Sequence, residues 1–130
     1  MAKPRILVAD DHSGVRKVVA NLVGLAFEVV GAVDNGKALV EMGLKLQPDV
    51  IITDISMPIL SGIEAARQLK ESGSRAQLVF LTVHSDPDLV NACLDAGARG
   101  YVVKIRMDTD LLHALREALA DRIFLSPTDE

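Results

Sequence analysis

The chain has 130 residues, enough for one domain with one core, and its 49% hydrophobic and 25% charged residues are an ordinary globular balance. Fourteen basic and 18 acidic residues leave a net charge of 14 − 18 = −4, which argues against a nucleic-acid-binding face in this segment. The single cysteine, Cys93, excludes a disulfide framework and a cysteine metal site and reads as a small core residue; aromatics at 3% leave the core to Leu, Val, Ile and Ala. No apolar run approaches the roughly 18 residues of a membrane span. Met1 to Arg5 leads into a strand without the pattern of a signal peptide, so the expectation is a cytoplasmic protein with no membrane contact.

In chain order, Ile6-Leu7-Val8-Ala9 reads as a short apolar strand ended by the acidic pair Asp10-Asp11. Ser13 is expected to cap a helix whose apolar positions Val15, Val18, Val19, Leu22 and Val23 fall at helical spacing. Phe27 to Val33 reads as a second strand, Asp34-Asn35-Gly36 as a turn, and Leu39, Met42 and Leu46 as one face of a second helix closed by Pro48. Val50-Ile51-Ile52-Thr53 is a β-branched run between prolines, the pattern of a strand buried on both faces, and it ends at Asp54 before Met57-Pro58 turns the chain away. Ser61-Gly62-Ile63-Glu64 has the form of a capping box opening a third helix that Gly73 ends. Leu78 to Leu81 is a fourth strand leading to Thr82. Asp86-Pro87 opens a helix that Gly97 terminates, and Gly100 to Val103 is a fifth strand ending at Lys104. Asp108 is expected to cap a last helix with Leu111, Leu112, Leu115, Ala118 and Leu119 facing inward.

Five strands alternating with five helices require parallel strands, because each crossover helix returns the chain to the same end of the sheet. The expected fold class is α/β, a doubly wound five-stranded parallel sheet in the order 2-1-3-4-5, with ligands bound outside the C-terminal strand ends at the switch point between strands 1 and 3. Asp10, Asp11, Asp54, Thr82 and Lys104 all fall on that rim. Two carboxylates about 4 Å apart repel by roughly 4 kcal/mol at an effective dielectric near 20. Three of them therefore call for a cation, and an oxygen-only donor set selects a hard divalent ion, of which Mg²⁺ with several retained waters is the expectation. Carboxylates, Mg²⁺, a hydroxyl and an ammonium suit a phosphoryl group, with Asp54 as its nucleophile.

The acidic pair after strand 1, the Asp-x-x-Met-Pro segment at 54 to 58, Thr82, Tyr101 and Lys104 together resemble the receiver domain of bacterial two-component response regulators, over nearly the whole chain. The stretch Ala96 to Lys104 resembles the subfamily whose receivers precede a LuxR-type helix-turn-helix DNA-binding domain, and Phe124-Leu125-Ser126-Pro127 looks like the start of its linker. The resemblance implies a receiver over residues 1–122 and a linker beginning over 123–130; the chain is then either a stand-alone receiver or, as the linker-like tail favours, a fragment of a longer regulator that reaches DNA only through that further domain. It implies that Asp54 accepts a phosphoryl group from a histidine kinase, and that Asp11, Asp54 and the Ser56 backbone carbonyl bind Mg²⁺ with Asp10 acting through water. It further implies that Lys104 pairs with the phosphoryl oxygens, that Thr82 and Tyr101 move as a switch, and that phosphorylation reshapes the helix 4, strand 5 and helix 5 surface and allows a homodimer. Such a domain promotes its own phosphorylation and dephosphorylation without being a turnover enzyme.

Two departures from the family pattern stand out: Lys104 is followed by Ile105 where many receivers have a cis proline, which makes a trans bond the default, and no helix-turn-helix follows residue 130. Tyr101 also reads as a plain buried strand aromatic. His84 and Ser56 are candidates for tuning the loss of the phosphoryl group, His12 is expected to face solvent, and His113 to lie at the surface or a helix edge. Rival readings are a degenerate receiver acting by contacts alone, a flavodoxin-like binding domain, and a small Mg²⁺-dependent aspartyl phosphatase. Asp10-Asp11-His12 would repel a bare phosphate, against the second, and Ser56 stands where the third needs a second carboxylate.

Overall fold

In the computed structural model, which describes residues 2–127, apolar strands and amphipathic helices alternate as β1 (Arg5–Ala9), α1 (Ser13–Gly24), β2 (Glu28–Val33), α2 (Gly36–Leu46), β3 (Val50–Thr53), α3 (Gly62–Glu71), β4 (Gln77–Thr82), α4 (Pro87–Asp95), β5 (Ala98–Val103), a 3-10 turn (Lys104–Arg106), α5 (Met107–Leu119) and β6 (Phe124–Leu125). All strands pair in parallel in the order β2-β1-β3-β4-β5-β6. The doubly wound α/β class holds, with six strands in place of the five expected. The extra strand was invisible as such because two apolar residues have no periodicity; their pairing with Gly100 and Tyr101 defines them.

Side-chain alternation along the strands builds two cores, one on each face of the sheet. Leu7, Ala9, Ile51, Phe80, Tyr101 and Val103 meet α2, α3 and α4 through Leu39, Leu69 and Cys93. Ile6, Val8, Val50, Ile52, Leu81 and Val102 meet α1 and α5 through Val19, Val23, Leu111 and Leu115. A register shift between Leu78 and Val79, opposite Ala98 and Gly100, puts Ala98 and Tyr101 on one face despite their odd spacing.

Caps explain most of the helix starts. Ser61 Oγ accepts from the Glu64 amide (3.1 Å), and Asp86 Oδ1 from the Asp88 amide (2.8 Å) ahead of Pro87. Asn35 caps α2 through the Ala38 amide at 2.8 Å, a role beyond the turn read from the sequence. Gly73 and Gly97 take the φ of +87° and +99° that end α3 and α4.

Three local expectations are corrected. Ser13 is already helical, and His12 stands at the α1 N-cap without a side-chain bond. Asp108 is not the cap of α5, because the 3-10 turn runs directly into the helix at Met107 and leaves Asp108 inside its first turn. Leu119 does not face inward; it is 37% exposed, one position past the buried Ala118. Of the segment 123–130 read as a linker start, Phe124 and Leu125 belong to the sheet and Ser126 is buried against it, while residues 128–130 lie outside the described residues.

Candidate functional site

Parallel strands bring their C-terminal ends to one rim, so the residues that follow them become neighbours. The Asp54 amide donates to the Ala9 carbonyl at 3.0 Å and the Asp10 amide to the Val33 carbonyl at 3.0 Å, which extends the sheet's ladder to the carboxylates themselves. One ligand atom from each of Asp10, Asp11, His12 and Asp54 lies within 4.8 Å of the others. Asp10 and Asp54 are buried and Asp11 is exposed. His12 is exposed as expected, yet its Nδ1 lies 3.2 Å from Asp11 Oδ1 and 3.6 Å from Asp10 Oδ1.

Lys104 reaches into this cluster from the end of β5, its Nζ 2.9 Å from Asp10 Oδ2 and 3.0 Å from Asp54 Oδ2. Burial alone would push the ammonium down, but the hydrogen bonds and charges of Asp10 and Asp54 outweigh it and hold the pKa above its ordinary value. The peptide after Lys104 is trans, the described backbone holding no cis bond. With His12 neutral, three carboxylates and one ammonium leave −3 + 1 = −2 on the rim. Asp10 Oδ1 already accepts the His12 amide (2.9 Å) and Asp54 Oδ1 the Ile55 amide (2.7 Å), while among the described residues Asp11 pairs only with His12. An oxygen-rich cluster of excess negative charge with one exposed carboxylate fits a hard divalent cation.

The main chain of Asp54 is gripped from below. The buried Thr53 hydroxyl donates to the Asp54 carbonyl at 2.9 Å, and the Gly62 amide donates to the Ile55 carbonyl at 2.7 Å. A Cβ on Gly62 would sit 1.9 Å from the Asp54 carbonyl oxygen, so only glycine lets α3 start this close to the strand. Between them Ile59 takes φ +72°, with the Leu60 amide donating to the Pro58 carbonyl at 2.7 Å, a strained γ-turn for a β-branched residue. Sequence reasoning missed Thr53 and Gly62. A hydroxyl in an otherwise aliphatic strand was the available signal for Thr53.

Across the rim, Thr82 is fully buried and its Oγ1 accepts the His84 amide at 3.3 Å. The Tyr101 hydroxyl donates to the His84 carbonyl at 2.8 Å, its ring buried in the core. Burial, helped by Cys93 and Asp86, pushes the phenol up to about 12, so it stays a donor. Thr82 and Tyr101 thus hold opposite sides of the His84 backbone, while the His84 side chain lies on an exposed residue. Ser56 is exposed two residues past Asp54. His113 is a helix-edge residue, with Nε2 3.3 Å from Glu117 and its ring 4.8 Å from that of Phe124.

Fold and rim define a class: a doubly wound α/β domain presenting a lysine-paired carboxylate cluster at its switch point. The family model of the response regulator receiver domain matches residues 6–116, and the chain belongs to that family. It is 36% identical over 123 residues to the nitrate/nitrite response regulator protein NarL of Escherichia coli strain K12, covering 93% of this chain and 57% of that protein. A two-component response regulator of the LuxR family from Aurantimonas sp. SI85-9A1 is similar in structure, with a TM-score of 0.92 at 28% identity over 97% of this chain and 91% of that one. The isolated REC domain of RcsB from Salmonella enterica serovar Typhimurium, solved in the presence of phosphomimetic BeF3-, gives 0.86 at 29% identity, covering 95% and 94%. The chain spans a little over half the length of the curated relatives it matches. No helix among the described residues is long and apolar enough to cross a membrane.

Proposed function

We propose that the chain is a phosphorylation-activated switch domain, in which an Asp54 carboxylate oxygen attacks the phosphorus of a histidine kinase's phosphohistidine, the phosphorus–nitrogen bond breaks, and the imidazole leaves. The observation that carries this reading is the buried Asp54 paired at 3.0 Å with Lys104 inside a cluster of three carboxylates. Asp11, Asp54 and the Ser56 carbonyl would hold Mg²⁺, with Asp10 acting through water, the division of roles that the receiver family implies. When bound, Mg²⁺ would offset the charge of the incoming phosphoryl oxygens. Lys104 then exchanges its carboxylate partner for a phosphoryl oxygen.

Thr82 and Tyr101 are assigned the switch. Both bond the His84 backbone, so a turn of the Thr82 hydroxyl toward the phosphoryl group is passed through that backbone to Tyr101. The readout is a changed α4, β5 and α5 surface and a homodimer, with DNA reached only through a further domain beyond this segment and with control of transcription as the output. His84 and Ser56, flanking the mouth, would set the rate at which water removes the phosphoryl group. The setting is cytoplasmic, and the domain acts on itself and not on an external substrate.

Intact mass after incubation with Mg²⁺ and acetyl phosphate tests the reading. One phosphoryl group is expected, dependent on Mg²⁺ and absent in Asp54→Asn. No gain, with Mg²⁺ binding shown separately, would leave a degenerate receiver that works through contacts.

A further inference from the structure

Lys104 has to be aimed, and the residue after it does not help: Ile105 is 91% exposed. The restraint comes from the two sides of the turn. Immediately before Lys104, the Val103 amide donates to Ser126 Oγ at 3.3 Å. At the far end of the turn, Arg106 Nε donates to Asp110 Oδ2 at 2.8 Å and its Nη2 reaches Oδ1 at 3.4 Å. The two sides are joined, because Ser126 Oγ donates to Asp110 Oδ2 at 2.7 Å. Thr109 Oγ1 lies 3.1 Å from both the Arg106 carbonyl and Asp110 Oδ1, which fastens the turn to the start of α5. Ser126 and Asp110 are both buried, and the Ser126 amide donates to the Tyr101 carbonyl at 2.8 Å as the last rung beyond β6.

We infer that Asp110 and Ser126 are positioning residues for Lys104, so that β6 and the buried serine after it are a working part of the phosphoryl-accepting rim. This rests on the function proposed above. A serine hydroxyl can donate to Asp110 and accept from Val103 at the same time, which threonine reproduces and alanine cannot. The carboxylate is suited to the role: burial raises its pKa, but the bonds from Arg106, Ser126 and Thr109 more than reverse this and keep it ionised. The strand that leads out of the domain is thereby tied to both Lys104 and Tyr101, and strain on that strand changes how the rim handles a phosphoryl group.

The test compares the parent 1–130 chain with Ser126→Ala and Ser126→Thr, reading the initial rate of phosphoryl uptake from acetyl phosphate and, in the same preparations, Mg²⁺ affinity. Displacing a charge that contacts the transferred group is expected to lower the Ser126→Ala rate on the order of tenfold, with Mg²⁺ affinity unchanged and the rate restored in Ser126→Thr. Faster amide hydrogen exchange at Val103 in Ser126→Ala should accompany the loss. Should Ser126→Ala fail to fold, Arg106→Gln opens the other side of the turn and carries the same comparison. An unchanged rate overturns the inference and leaves the function standing, and so does a loss of rate in proportion to a loss of Mg²⁺ affinity, the sign of general loosening. A parent chain that takes up no phosphoryl group overturns the function itself.

Discussion

Asp54 and Asp110 are both buried carboxylates at the C-terminal side of the sheet, yet the chain treats them in opposite ways. Asp110 is enclosed by Arg106, Thr109 and Ser126. Asp54 has one backbone amide and one shared ammonium, and it lies beside two further carboxylates. A buried carboxylate is costly unless its lone pairs are filled. The first site meets that requirement from within the chain and is closed; the second is left short of positive charge and depends on what arrives. Burial alone therefore does not mark a reactive acid, whereas burial with an incomplete set of partners does.

The largest expected effect tests how the open site is built. Gly62→Ala forces a Cβ onto the Asp54 carbonyl, a contact that backbone cannot relieve cheaply, and should cost about 3 kcal/mol or more in chemical denaturation. Phosphoryl uptake should fall with it, because the atom displaced belongs to Asp54, the residue proposed as the acceptor. Next comes the Mg²⁺ proposed for the site. Mg²⁺ at a hundredfold above its dissociation constant should stabilise the fold by about 2.7 kcal/mol, read as a rise in thermal midpoint. Asp11→Asn should remove most of that rise, and Asp110→Asn none of it, if the two sites differ as their partners indicate.

The same contrast explains what the sequence discloses. The strands and helices were legible because apolar runs, capping residues and glycine stops are local signals, and the rim followed because parallel strands oblige their C-terminal residues to meet. Asp110 was not legible: at the first turn of a helix an acid reads as a dipole partner, and only Ser126, 16 residues on, makes it a buried one. Strand β6 escaped for the same reason, its identity residing in β5. Gly62 read as part of a capping box, and nothing local says that Asp54 lies against it. His12 displaced Ser13 from the cap position because α1 begins one residue earlier than the serine's preference suggested.

Asp110→Asn gives the third effect. An amide nitrogen cannot accept from Ser126 or Arg106, and losing bonds to a charged acceptor should cost about 2 kcal/mol at neutral pH. Because Asp110's folded pKa is lowered, its contribution is fully present above the unfolded value of about 3.9 and is lost as pH falls through the lower folded value. Denaturation midpoints of parent and variant should converge on acidification below about pH 4; a gap that persists there would place the cost in shape and not in charge.

The smallest effect separates burial from helix spacing. Glu64 and Arg67 on α3 form an i,i+3 pair at 3.4 Å with side chains 46% and 50% exposed. Arg106 and Asp110 form an i,i+4 pair at 2.8 Å in which the acid's side chain is 8% exposed. Helical neighbours of opposite charge contribute only a few tenths of a kcal/mol when solvent screens them. Arg67→Ala should therefore shift unfolding by less than about 0.5 kcal/mol, whereas Arg106→Ala, which leaves a buried carboxylate short of its main donor, should cost about 2 kcal/mol. Equal costs in the two variants would mean that the enclosure of Asp110 adds nothing to an ordinary surface pair, and the distinction between the closed and the open carboxylate would lose its energetic basis.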